Sequence, residues 1–234
     1  MRALIVMLGF FSALPVPKGD FDESHFKWGI YWIPFIGLLF SGILFTVSLI
    51  DLPFRGFLRA LLYVLLMGGL HLDGFSDTVD GILSRRPREE KLRIMRDPNM
   101  GTFAAVALFF LLLGYVFFLE GSHGSLLLFP LVGRLSLLVA ILPANSARAK
   151  GLGALFIKHK SRLALLLYLI PTLIFFMIYM PLGLIAILLS LLWSLLVESH
   201  CKRMLGGMTG DTLGFVIESS QFIYLLVLGV ILWY

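Results

Sequence analysis

The chain reads as an all-α protein: a polytopic integral membrane helical bundle of about seven transmembrane helices plus a short N-terminal interfacial or re-entrant helix. Three observations carry that reading. Of 234 residues, 59% are hydrophobic and only 14% charged, whereas a soluble globular domain carries about a quarter charged residues. Phenylalanine occurs 21 times, which excludes a disordered chain poor in aromatic residues. Apolar runs of roughly the 20 residues needed to cross a bilayer recur along the chain, separated by charge or by Pro and Gly clusters.

Taken in order, Ala3–Leu14 follows Met1-Arg2 like the apolar core of a signal peptide, but Leu14-Pro15-Val16-Pro17 is a poor small-residue cleavage site. It is therefore expected to stay as the short N-terminal helix. The seven expected spans are Trp28–Ile50, Gly56–Leu72, Thr102–Leu119, Ser125–Leu142, Leu163–Met180, Leu182–Val197 and the short Phe222–Tyr234. With the N-terminus inside, the inner loops are 1–27, 73–101, 143–162 and 198–221, and they hold 16 of the 19 Lys and Arg residues, Lys18 among them. Such a bias places these loops, and the polar chemistry they carry, in the cytoplasm. It also accounts for the net charge of +5 without a nucleic-acid partner. The outer turns are too short to form a domain, so residues 1–234 are expected to make one membrane-embedded domain. The lone Cys201 rules out an intrachain disulfide or a Cys-rich zinc site.

The informative stretch is Leu70-His71-Leu72-Asp73-Gly74-Phe75-Ser76-Asp77-Thr78-Val79-Asp80-Gly81. At helical spacing, Asp77 lies about 40° and Asp80 about 20° from Asp73 around the axis, on one face. Three carboxylates so placed repel unless a cation joins them, and hard oxygen ligands with open positions suit Mg²⁺ shared with substrate phosphates. A metal–phosphate site is the expectation. The competing reading is a solvated helix end with Arg partners, and the ligand pattern of a calcium loop is missing.

A second polar island, Leu205-Gly206-Gly207-Met208-Thr209-Gly210-Asp211, is followed by Glu218. Asp211 and Glu218, seven apart, align on a helix starting near Thr209. Gly207, Thr209 and Gly210 can bring backbone N–H groups to an anion at that helix start, or simply make a turn. Two acidic helices facing each other across a metal or substrate cleft would unite both islands. Asp97 and Asn99, in the basic loop before the third span, either ligate metal or cap the helix. Arg134, charged in mid-helix, needs a carboxylate or a substrate phosphate. His25, His71, His123, His159 and His200 show no metal-ligand spacing.

These residues carry a family resemblance. His71-Leu72-Asp73-Gly74 with Asp77 and Asp80-Gly81, then Ile94-Met95-Arg96-Asp97 and Gly101-Thr102-Phe103, resemble the cobalamin synthase (adenosylcobinamide-GDP ribazoletransferase) family. Leu14-Pro15-Val16-Pro17, Gly133-Arg134-Leu135, Gly151-Leu152-Gly153 and Gly207-Met208-Thr209-Gly210-Asp211 with Glu218 extend the likeness nearly end to end. Ser12-Ala13 and Pro98-Asn99 depart from its pattern, each lacking a basic residue. The resemblance implies an enzyme of the cytoplasmic (inner) membrane that joins adenosylcobinamide-GDP to α-ribazole or its 5′-phosphate, releasing GMP, with Mg²⁺. On that reading Asp73 and Asp77 ligate Mg²⁺, Asp211 or Glu218 completes the site, and Asp80, a further metal-ligand candidate, is the candidate general base, unless a metal-bound alkoxide needs none. Arg134 and Arg96 become candidate phosphate contacts. The sequence leaves a homo-oligomer open.

Three rivals remain at this level, one of them a scaffold of a membrane complex, for which clustered aspartates would be unnecessary. A CDP-alcohol phosphotransferase-like lipid synthase also uses membrane aspartates, but its Asp-Gly-x-x-Ala-Arg start is absent. A cation or corrinoid transporter would place polar groups near the midplane, where only Arg134 lies.

Overall fold

A computed structural model describes residues 2–17, 22–121 and 124–233, all helix, turn and loop apart from one isolated bridge. Lys18, His123 and Tyr234, which figure in the sequence reading, lie outside the described residues. Helix α1 (Arg2–Phe11) is followed by α2 (Ser24–Gly29), which passes through a 3-10 turn into α3 (Ile33–Ser48). Then come α4 (Arg55–Met67), α5 (Leu70–Leu83), the short α6 (Arg88–Ile94) and α7 (Thr102–Leu119). A 3-10 segment at Gly124–Leu128 leads into α8 (Phe129–Ile141), followed by α9 (Leu152–Lys158), α10 (Arg162–Tyr179), α11 (Gly183–Leu205) and α12 (Gly210–Trp233).

Five described stretches are long and apolar enough to cross a membrane: Ser24–Ser48, α7, α10, α11 and Gly210–Leu232. The bent pair α4–α5 makes a sixth if counted as one span. This departs from seven straight spans at three places. The expected Gly56–Leu72 helix stops at Gly68 and Gly69, both left-handed (φ +76° and +83°), and the chain restarts as α5 at 92° to α4. Glycine reaches that backbone region without a Cβ clash, so the apolar run continues in sequence while the helix does not. The expected Ser125–Leu142 span is a shorter apolar helix, Leu126–Ile141. The last span begins at Gly210 rather than Phe222, so Asp211 and Glu218 belong to it and not to a loop.

Helix α8 is the buried centre, packed by α3, α11 and α12, with nearly every residue from Phe129 to Ile141 out of contact with solvent. Gly37 of α3 permits this closeness, since a Cβ there would lie 2.8 Å from the Leu131 Cα. Helices α7 and α10 bury least, 22% of their apolar windows, and leave Phe109, Phe110, Leu167 and Ile170 exposed. Lipid is the solvent that tolerates such faces.

Charged residues tie the helix ends, where backbone groups lack intrahelical partners. Arg59 donates to the carbonyls of Leu119 and Gly121 (2.6 and 2.7 Å) at the end of α7, and Glu120 accepts from Gly56 N–H (2.6 Å) at the start of α4. Arg88 Nε reaches Leu205 O (2.7 Å) and Lys91 Nζ reaches Ile82 O (2.9 Å), closing the ends of α11 and α5. Arg88 and Lys91, both in an expected inner loop, thus have a structural task.

Candidate active site

The site is built where α5 crosses the start of α12, the most extensive helix pairing in the molecule. Two glycines make the crossing close. A Cβ on Gly74 would sit 2.8 Å from Asp211 O, and one on Gly214 would sit 3.0 Å from His71 O. Small residues let membrane helices approach backbone to backbone, and here that brings Asp73 and Asp77 of α5 to the same end of the bundle as Asp211. The carboxylates of Asp73, Asp80 and Asp211 all act electrostatically on Asp77.

The start of α12 is held by a reciprocal cap: Thr209 N–H donates to Thr212 Oγ1 (2.8 Å), and Thr212 N–H donates to Thr209 Oγ1 (3.2 Å). The preceding loop is stitched to residues 145–147, with Met208 N–H on Asn145 O and Ala147 N–H on Met208 O, both 2.8 Å. Gly207 is needed for this stitch, because a Cβ there would lie 2.4 Å from Asn145 O. Its glycine therefore serves backbone packing, whereas Thr209 and Gly210 do face a cavity.

Two cavities meet at Asp73. The first, about 240 Å³, is lined by Phe11, His71, Asp73, Arg148, Phe156 and Asp211 among others. The second, about 480 Å³, is lined by Asp73, Ser76, Asp77, Arg96 and Asp97 with apolar neighbours. Among the described residues no hydrogen bond reaches the Asp73 or Asp77 carboxylate. Asp211 Oδ2 faces Arg148 Nη1 at 3.2 Å and accepts from Thr209 Oγ1 at 3.2 Å.

The other expected site residues are placed differently. Asp80 accepts from Gly101 N–H (2.6 Å) and Ala104 N–H (3.0 Å) with its two oxygens, so it caps α7 from a neighbouring helix. Asp97 does not perform that cap. It accepts from the backbone N–H and the side-chain amide of Asn99 (2.9 and 2.8 Å), which hold its carboxyl below the ordinary carboxylate range.

Glu218 and Arg134 line neither cavity. Glu218, fully buried, accepts from Tyr63 Oη (3.1 Å) and Tyr115 Oη (2.8 Å), and His71 Nδ1 stands 3.8 Å away. Arg134, also fully buried, donates to Tyr63 Oη (3.2 Å) and lies over the rings of Phe40 and Tyr63. Arg134 thus reaches a carboxylate only through the Tyr63 hydroxyl, and its Nε and Nη2 have no hydrogen-bond partner among the described residues.

Arg148, Lys150 and His71 escaped the sequence reading as site residues. The first two sit in a loop whose positive charge is expected of any inner loop, and His71 lies off the acidic face. Only the fold turns them to the cavity. Tyr63 and Tyr115, single hydroxyls in apolar helices, were a signal the spacing argument did not use.

Fold and cavities together define a class: a polytopic membrane protein of helices, with an open acidic site where two of them cross beside basic loops. The family model for cobalamin-5-phosphate synthase matches residues 3–229. A protein of Alkaliphilus oremlandii is 35% identical over 97% of this chain and 96% of its own. One of Clostridium acetobutylicum is 33% identical over 100% of this chain and 98% of its own, and one of Acetivibrio thermocellus 36% identical over 97% and 96%. Each is named adenosylcobinamide-GDP ribazoletransferase. No solved structure matches. The chain belongs to the cobalamin-5-phosphate synthase family.

Proposed function

We propose that this chain joins adenosylcobinamide-GDP to α-ribazole or its 5′-phosphate, giving adenosylcobalamin or its 5′-phosphate and GMP, at the cytoplasmic face of the inner membrane. Family membership supports the reaction class, and one structural observation carries the mechanism: Asp73 and Asp77 are left without hydrogen-bond partners beside Asp211 and two cavities. Asp73 is exposed and Asp77 half-buried at a crossing made close by Gly74 and Gly214, which leaves both carboxylates accessible to a ligand.

The donor set fits Mg²⁺. No three His, Cys, Asp or Glu side chains among the described residues form a ready metal cage. The expected completion of the Asp73 and Asp77 set by Asp211 or Glu218 is therefore not formed, and the remaining positions would fall to substrate phosphates and waters. Asp73 and Asp77 are the residues that would hold the ion. Asp80 and Glu218 drop out of this reading, since the oxygens of each already accept hydrogen bonds. Mg²⁺, when bound, would neutralise phosphate oxygens and stabilise departing GMP.

The remaining work falls to the chain. A ribose hydroxyl oxygen of the acceptor forms a bond to the phosphorus attached to cobinamide. The bond from that phosphorus to the bridging oxygen breaks, and GMP leaves with the electron pair. Asp211, whose Oδ2 is taken by Arg148 and Thr209, would take the hydroxyl proton on Oδ1. Arg96, in the second cavity, is placed to bind a phosphate oxygen of the donor. Holding both substrates in line supplies most of the remaining rate advantage.

The test is Mg²⁺-dependent GMP release from adenosylcobinamide-GDP by the full chain in proteoliposomes, for wild type and for Asp73→Asn, Asp77→Asn and Asp211→Asn. Near-normal turnover in the first two variants would defeat the metal assignment. The transporter reading loses its one support, because Arg134 is engaged in a buried network rather than facing a path.

A further inference from the structure

The two cavities that share Asp73 differ in chemistry. The second offers carboxylates, Ser76 and Arg96, as a site for metal and phosphates requires. The first offers a wall of aromatic rings: Phe11 lies 5.2 Å from His71 and 5.7 Å from Phe156, centroid to centroid, and Phe10 lies 6.3 Å from Phe156. Its rim carries Arg148 and Lys150, and Lys150 is exposed. His71 is only 5% exposed, and its Nδ1 has no hydrogen-bond partner among the described residues. A cavity walled by rings, rimmed by cations and floored by Asp73 and Asp211 does not suit a bare metal ion or an apolar lipid tail. Its shape of demand is a flat aromatic group joined through a hydroxylated linker to an anion.

We propose that this chamber, enclosed by α1, α5, α9 and the start of α12, is the acceptor subsite. The benzimidazole ring of the acceptor rests against Phe11 and Phe156, its ribose hydroxyl faces the Asp73–Asp211 wall, and Lys150 with Arg148 receives its 5′-phosphate. This assignment rests on the transferase reading above and adds to it which cavity each substrate enters. At about 240 Å³ the chamber is the smaller of the two cavities, which favours the smaller of the two substrates and leaves the corrinoid donor to the second cavity, about 480 Å³. Asp73, common to both, then stands where the acceptor hydroxyl and the donor phosphorus must meet. Helix α1 acquires a role as well, because Phe10 and Phe11 at its end close one side of the chamber.

The test separates the two substrates kinetically. Lys150→Glu reverses an exposed charge and so threatens the fold little; Phe156→Leu trims the aromatic wall while keeping it apolar. Lys150→Glu is expected to raise the KM for α-ribazole 5′-phosphate about tenfold, as loss of one charge-assisted contact implies. Its KM for adenosylcobinamide-GDP and for unphosphorylated α-ribazole should stay within about twofold. Phe156→Leu is expected to raise the KM for both forms of the acceptor and to spare that for the donor. Lys202→Glu, an exposed reversal lining neither cavity, controls for general surface charge and should change none of them. A donor KM that rises as much as the acceptor KM, or an acceptor KM unmoved by both variants, overturns the assignment. Calorimetric binding of α-ribazole 5′-phosphate to the full chain, without donor, keeps the two readings apart. Binding that Lys150→Glu weakens supports the subsite even if the wild type releases no GMP, a result that would remove the transferase reading alone.

Discussion

The molecule holds two sets of acidic groups built on opposite principles. At the crossing of α5 and α12, Asp73 and Asp77 face cavities with no hydrogen-bond partner among the described residues. Two turns further along α12, Glu218 is fully buried and answered by Tyr63, Tyr115 and, through Tyr63, Arg134. In the first set Asp73 is exposed and Asp77 half-buried, so both stay open to solvent or to a ligand. In the second, both Glu218 oxygens are answered, while Arg134 Nε and Nη2 have no hydrogen-bond partner among the described residues; it joins α4, α7, α8 and α12 through the Tyr63 and Tyr115 hydroxyls. On the function proposed above, the acids the fold leaves open are the ones assigned to the chemistry, and the hydrogen-bonded ones to packing.

The largest effect that would break this contrast concerns the open set. Asp73→Asn and Asp77→Asn are expected to lower Mg²⁺-dependent GMP release at least about 100-fold, since several kcal/mol of charge stabilisation in the transition state is lost. Their thermal unfolding midpoints in detergent should stay near that of the wild type, and chelation of Mg²⁺ should mimic them. The closed set should behave in reverse. Glu218→Ala leaves Arg134 buried without its carboxylate, which costs about 3–5 kcal/mol of stability and should appear as a clear drop in the unfolding midpoint. A Glu218→Ala protein of normal stability but no activity would instead place Glu218 in the chemistry.

Gly74→Ala tests the crossing that separates the two sets. A Cβ 2.8 Å from Asp211 O forces the helices apart, and a misplacement of about 1 Å can cost on the order of 100-fold in rate. GMP release should fall by more than the change in unfolding midpoint explains. The smallest effect is expected at Asp80. Asp80→Ala removes the cap of α7, worth about 1 kcal/mol, and should lower stability modestly while leaving measurable turnover. Loss of all turnover in a well-folded Asp80→Ala protein would restore Asp80 as the general base.

Much of this was legible in the sequence for a plain reason. Helical periodicity is local, so Asp73, Asp77 and Asp80 could be placed on one face, and Asp211 with Glu218 on a helix starting near Thr209, from spacing alone. Hydropathy is also local, and it found the apolar segments. It did not see that Gly68 and Gly69 turn the chain by 92°, because a left-handed glycine leaves the apolar composition unchanged. Nor could it divide the acids by task. Asp80 sits on the same face as Asp73, yet its partners, Gly101 and Ala104, are 21 and 24 residues away and reach it only through the fold.

Composition and periodicity therefore determined that the chain is helical, lives in lipid and carries two acidic helices, since those properties depend on each residue and its near neighbours. The tertiary structure alone decided which acids stay open, which become caps or core, and which loop cations turn toward a cavity. Hydrogen-bond satisfaction inside a membrane is settled between helices distant in sequence, and no local pattern records which donor a given carboxylate will meet.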